Sequence, residues 1–289
     1  MPGPIDLIAS YWTICGRTKL EGGLDVEGSP IEFARRVEAA KRVGYCGVGL
    51  QYNDLRKVVG RHGHAGVASI LADNGMKYFE VEFLTDWFAD GERRRQSDAV
   101  RRDLLLAAEK TGARHIKIGG DMEGRAVPID RMVETFAALC DDAANAGTKV
   151  VIEILPWSNI PDIKAGLAVV AGANKSNGAL LFDIWHVARG NIPYEDIASV
   201  PGKFIDYIEI NDAAARSVGT LLEDTVLRRK LCGQGDLDVH RFLRCVKASG
   251  YDGPFGVEII SAEQRNRPLD EAAALSHSTA LAQFAGVYP

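Results

Sequence analysis

Eight short runs rich in β-branched and aromatic residues alternate with longer amphipathic stretches, and no Pro- or Ser-rich linker divides them. Few architectures accept that alternation. A strand–helix–strand connection within one sheet lays the strands parallel and covers the sheet with helices. The runs predicted as strands are Ile5–Ser10, Cys46–Gln51, Tyr78–Phe83, His115–Gly119, Lys149–Leu155, Ala179–Trp185, Phe204–Asn211 and Pro254–Ile260. Helices are predicted over Pro30–Val43, His64–Asn74, Glu92–Thr111, Asp130–Ala146, Ile160–Ala171, Pro193–Val200, Val239–Ser249 and Leu269–Phe284. Ser29-Pro30 predicts an N-cap with proline at the first helical position, and Asp238 predicts a cap on the seventh helix. Gly44, Gly75, Gly112, Gly147 and Gly250 each stand between a predicted helix and the next predicted strand, where a left-handed residue turns the chain back.

Eight such units in 289 residues predict a single (β/α)8 TIM barrel of the α/β class, covering residues 1–289 as one domain. An open doubly wound sheet calls for a glycine-rich dinucleotide turn after its first strand. Ser10-Tyr-Trp-Thr-Ile-Cys-Gly16 has no such pattern.

In a barrel, active sites sit at the carboxyl ends of the strands. Four predicted strands in the second half carry an acid near that end: Glu153, Asp183, Glu209 and Glu258. Desolvating several carboxylates together is costly unless a cation or hydrogen bonds offset the charge. A shared divalent ion is the simplest offset. All-oxygen ligation favours Mn²⁺ or Mg²⁺, with Co²⁺ or Zn²⁺ as alternatives. Glu153 and Glu258 form the natural acid/base pair around a bound ketose, with the metal stabilising the enediolate produced by proton abstraction next to the carbonyl.

Around these acids, His186, Lys117, Glu82 and Trp185 are candidate substrate-binding residues. Lys117 has a structural alternative, pairing with Glu82 or Glu153. Trp12, Trp157 and Trp185 each follow a strand and can wall a sugar ring or simply pack. The net charge of −5 disfavours nucleic acid as a partner. Five cysteines without a C-x-x-C pair predict reduced thiols. The opening Met-Pro-Gly-Pro-Ile-Asp-Leu-Ile lacks a basic leader, and no run is long enough for a membrane span. These features predict a soluble cytoplasmic protein.

Several stretches together resemble the xylose-isomerase-like TIM-barrel superfamily of sugar isomerases and epimerases, whose members include ketose 3-epimerases, hydroxypyruvate isomerase, inosose dehydratase and endonuclease IV-like proteins. They are Val150-Val-Ile-Glu-Ile-Leu-Pro156, Phe182-Asp-Ile-Trp-His186, Tyr207-Ile-Glu-Ile-Asn-Asp212, Gly233-Gln-Gly-Asp-Leu-Asp238 and Gly250-Tyr-Asp-Gly-Pro-Phe-Gly-Val-Glu258. The resemblance implies that Glu153 and Glu258 are metal ligands and the acid/base pair, Asp183 a ligand, and His186 a substrate contact. Glu209 stands where the family usually has His or Gln, which makes this site more acidic. The segment Ala213–Cys232 is long for a βα loop and predicts a lid, with Arg228 or Arg229 reaching inward. The resemblance further implies a homodimer or homotetramer.

The leading expectation is therefore a metal-dependent isomerase or epimerase acting on a sugar or polyol-derived keto substrate. Its rival is a dehydratase or lyase on a keto-cyclitol, a dehydroshikimate-like compound or a 3-keto-glycoside, which needs the same base and metal. A non-catalytic sugar-binding barrel is disfavoured because binding alone requires no base. DNA repair of the endonuclease type is disfavoured by the acidic charge and six histidines.

Overall fold

Every run predicted as a strand is one. The computed structural model describes residues 5–21, 24–25 and 27–288. Its strands in chain order are β1 (Leu7–Ala9), β2 (Leu20–Glu21), β3 (Leu24–Asp25), β4 (Gly47–Gln51), β5 (Tyr78–Leu84), β6 (His115–Ile118), β7 (Lys149–Glu153), β8 (Gly178–Asp183), β9 (Ile205–Ile210) and β10 (Phe255–Val257). β2 and β3 form a small antiparallel ribbon, and the other eight close into a parallel barrel in the order β1-β10-β9-β8-β7-β6-β5-β4. The single (β/α)8 barrel is thus the observed fold.

Helices fill the connections and pack their apolar faces on the outside of the sheet, burying Phe136, Leu139, Phe242 and Leu243 against strand residues such as Ile152, Phe182 and Ile208. Each such side chain contributes about 1.5–3 kcal/mol by leaving water. The five punctuating glycines all have positive φ, from 59° at Gly75 to 112° at Gly44. Asp238 caps its helix by accepting from Arg241 N at 2.9 Å. Ser29 does not cap: the helix starts at Phe33, and Ser29 Oγ instead donates to Cys15 O at 2.7 Å. The predicted helix at His64 is the second half of a longer one, Tyr52–Asp73, interrupted at Gly63 (φ 65°, ψ 166°). Its first half begins where Gln51 Oε1 accepts from Asn53 N at 2.7 Å.

Inside the barrel, Ile8, Val151, Leu181 and Tyr207 form a small apolar plug. Two strand glycines make room for the polar residues beside it. A Cβ at Gly49 would meet Glu80 Oε1 at 2.6 Å, and one at Gly256 would meet Tyr207 Oη at 2.5 Å and Glu209 Cγ at 2.8 Å. All five cysteines are free. Among the described residues, no helix is long and apolar enough to cross a membrane.

Candidate active site at the carboxyl ends of the strands

Glu153 ends β7, Asp183 ends β8, Glu209 lies one residue inside the end of β9, and Glu258 follows β10. All four are buried, and each offers an oxygen within 4.8 Å of the others'. Strand register sets Asp183 beside Glu209 across β8 and β9, while Glu153 lies beside Leu181, two residues before Asp183.

The chain leaves the sheet at Asp183 because that carboxylate accepts the N–H of Trp185 at 2.6 Å and caps the short helix Ile184–Arg189. The turn carries His186 over β7, placing its Nε2 3.0 Å from Glu153 Oε1. Asn211, two residues beyond Glu209 and so on the same strand face, donates Nδ2 to both oxygens of Asp183, at 3.1 and 3.0 Å. Ser10, just past β1, donates its hydroxyl to Glu209 Oε1 at 2.9 Å.

Two buried cations meet the acids. Lys117 Nζ lies 2.5 Å from Glu82 Oε2, 2.6 Å from Glu209 Oε1, 3.3 Å from Glu258 Oε1 and 3.5 Å from Glu80 Oε1. Arg229 Nη1 donates to Asp183 Oδ2 at 2.6 Å and Glu258 Oε2 at 2.9 Å, while Nη2 donates to Thr225 Oγ1 at 2.9 Å. The two cations answer only part of the charge. Burial raises Glu82 to about 8 even with Lys117 beside it. Burial, then Glu258, pushes Glu209 well above the usual carboxylate range, and burial also raises Glu258. Burial works the same way on Glu80 and Asp183 but is outweighed there. Lys117 and His115 hold Glu80 at about 2, and Arg229 and His186 hold Asp183 down.

Six buried carboxylates (Glu80, Glu82, Glu153, Asp183, Glu209, Glu258) thus outnumber Lys117 and Arg229 three to one. Glu209 Oε2 and Glu82 Oε1 are buried without a hydrogen-bond partner among the described residues. An all-oxygen donor set this close, with an orphaned carboxylate oxygen in it, fits a hard divalent cation held by Glu153, Asp183, Glu209 and Glu258. The cation would share these acids with Lys117 and Arg229.

Above the acids opens a cavity of about 650 Å³, lined on its polar side by Glu82, Glu153, His186, Arg229 and Glu258 and elsewhere largely by apolar side chains, Trp12 and Trp157 among them. Glu153, Glu258, Glu82 and His186 therefore reach the cavity as the sequence suggested. Asp183 and Glu209 stay buried beneath it, and three substrate-binding candidates do not reach it either. Lys117 is 1% exposed and lies beneath the cavity, taken up by four carboxylates, Glu82 included. Trp185 is fully buried with its ring against Arg229, 5.5 Å from ring centroid to guanidinium carbon. Arg228 is exposed and donates to Glu223 O at 3.1 Å, so the inward residue of the pair is Arg229.

The segment over the cavity is more ordered than a loop. It holds the helix Leu221–Leu227, opened by a Thr220–Glu223 capping box. Its base is gathered by buried Asp212, whose carboxylate accepts from Ala213 N, Gly235 N and Leu237 N at 2.8, 2.9 and 3.0 Å. Asn211, Ser10 and Asp212 were not singled out from sequence. Only Asn211 left a signal, its period-two spacing from Glu209.

Comparison with known proteins places the fold in a family. A 3-dehydroshikimate dehydratase of Pseudomonas aeruginosa is 26% identical over 239 residues, which is 81% of this chain and 37% of that protein. The chain therefore spans little more than a third of that relative's length. Two solved structures share the fold. IOLI protein with a bound zinc atom superimposes with a TM-score of 0.85 at 17% identity, covering 98% of this chain and 99% of that one. D-allulose 3-epimerase from Methylomonas sp., in complex with D-allulose, gives 0.72 at 16% identity and covers 98% of each chain. The family model described as xylose isomerase-like TIM barrel matches residues 37–279, and the chain belongs to that family.

Proposed function

We propose that this chain, loaded with a divalent cation, removes a proton next to a carbonyl of a small sugar- or polyol-derived keto compound and then expels a β-hydroxyl. The observation that carries this reading is the convergence of four strand-end carboxylates, two of which, Glu153 and Glu258, line one cavity. Bound there, Mn²⁺ or Mg²⁺ would supply a Lewis acid for adjacent carbonyl and hydroxyl oxygens. Glu153, oriented by its 3.0 Å contact with His186, is placed to take the carbon-bound proton. Glu258, just past the end of β10, is assigned the proton transfer to the departing hydroxyl, which leaves as water. Arg229 holds Glu258 Oε2 and Asp183 Oδ2, which fixes the orientation of both acids.

Elimination is placed ahead of re-protonation because the similar enzyme at 26% identity is a dehydratase. The sequence by itself had put isomerisation or epimerisation first. Epimerisation remains the second reading, favoured by having two carboxylates at hand, one on each of β7 and the β10 end. Incubation of the metal-loaded protein with 3-dehydroshikimate, inosose and ketohexoses in D₂O tests both. Ultraviolet absorbance of a new enone reports elimination, and deuterium incorporation without it reports epimerisation. Absence of both, with every substrate and metal, overturns the proposal.

A further inference from the structure

Apolar side chains make up most of the cavity lining. Past the acids, the walls are Trp12, Phe83, Met122, Trp157, Leu222 and Ile260. Two neutral polar side chains, Gln51 and Thr225, interrupt them, each already accepting a hydrogen bond on its oxygen. Gln51 Oε1 accepts from Asn53 N at 2.7 Å, and Thr225 Oγ1 accepts from Arg229 at 2.9 Å. A ketose bearing a hydroxyl on every carbon would bring several of them against walls that return few hydrogen bonds, forfeiting part of their hydration. At the mouth, Leu222 from the helix Leu221–Leu227 and Met122 from the loop after β6 are 41% and 37% exposed, apolar surface that a ligand can cover.

We infer that the substrate joins a compact head of adjacent carbonyl and hydroxyl oxygens, seated on the acids, to an apolar, ring-bearing body held between the tryptophans and capped by Leu222 and Met122. The inference rests on the proton-abstraction reading above and adds the substrate class. Under this assignment the acids decide the reaction, and the lid side chains decide which molecules undergo it.

Two probes with the same head separate the parts. Phenacyl alcohol carries a phenyl ring on its hydroxyketone, whereas dihydroxyacetone carries a second hydroxymethyl group there. Each exchanges a proton on its hydroxyl-bearing carbon for deuterium when a base abstracts it, and NMR in D₂O measures the rate on the metal-loaded full chain. Relative to buffer, phenacyl alcohol is expected to show a kcat/KM at least about tenfold higher. In a Leu222→Ser, Met122→Ser double variant, that ratio is expected to fall to about threefold or less. Equal exchange of the two probes, faster exchange of dihydroxyacetone, or a ratio unmoved by the double variant overturns the substrate class while leaving proton abstraction standing. Exchange of neither compound overturns both together.

Discussion

Lys117 and Arg229 face the same carboxylates yet are delivered by different parts of the molecule. Lys117 projects from β6, within the barrel, and is ringed by Glu80, Glu82, Glu209 and Glu258. Arg229 arrives on the segment after β9, held by antiparallel bridges of Asp212 with Lys230 and of Arg228 with Ser261. One cation belongs to the frame and the other to its cover. A charge fixed in the frame stabilises the closed barrel, because without it several carboxylates stay buried with no counter-ion. A charge on the cover acts on the acids only as long as its segment lies down.

The acid touched by both cations sets the upper bound of effect. Glu258→Gln is expected to lower turnover by about 10²- to 10⁴-fold in steady-state assays. The fold should be retained, as judged by circular dichroism. Next come the cations themselves. Lys117→Met should cost about 3–5 kcal/mol in denaturant unfolding, the usual penalty for leaving a buried charge unpaired. Arg229→Met should cost less, about 1–3 kcal/mol, because the segment can shift and admit water. Equal losses would erase the distinction between frame and cover. Addition of Glu209→Gln to Lys117→Met should restore part of the stability, since the pair then loses its charges together.

The frame also makes a pH prediction. Glu82 has a folded-state value of about 8 against an ordinary 4.5, so the folded protein binds more protons between those limits. Stability of the metal-free protein should therefore be greatest below about 4.5 as far as this group is concerned. It should decline as pH rises through about 8. Thermal unfolding from pH 6 to 9 checks the slope, and Glu82→Gln should flatten it. No contribution from Glu82 to the slope would mean that Lys117 fully neutralises it. The smallest effect is expected at Arg228, where alanine should change stability by no more than about 0.5 kcal/mol and leave turnover near that of the parent.

The barrel was legible because its signals are local. Strand composition, the glycine turns and the cap at Asp238 each depend on a few neighbouring residues, and all survived folding. The acid set was legible for a related reason. Placing a carboxylate at a strand's carboxyl end already places it in the ring of the barrel mouth. What escaped depends on distant partners. Arg228 and Arg229 are adjacent and alike. Which of them points inward is decided by the pairing of Arg228 with Ser261, thirty-three positions along the chain. Trp185 is expected as a wall because it follows a strand, but Asp183 captures the next N–H groups and folds the tryptophan into the interior. Lys117 looked able to reach substrate until four acids were found to hold it. The first half of the helix at Tyr52 escaped because its start depends on one glutamine carbonyl rather than on apolar periodicity.

Asp212 has a consequence for how such a barrel changes its clientele. A single side chain cinches both ends of the span that roofs the cavity, so the strands never feel how much chain lies between them. Closure entropy grows only logarithmically with length, and doubling that span would cost about 0.6 kcal/mol. The awning can therefore be lengthened, trimmed or recoloured with different side chains while the carboxylates beneath stay in register.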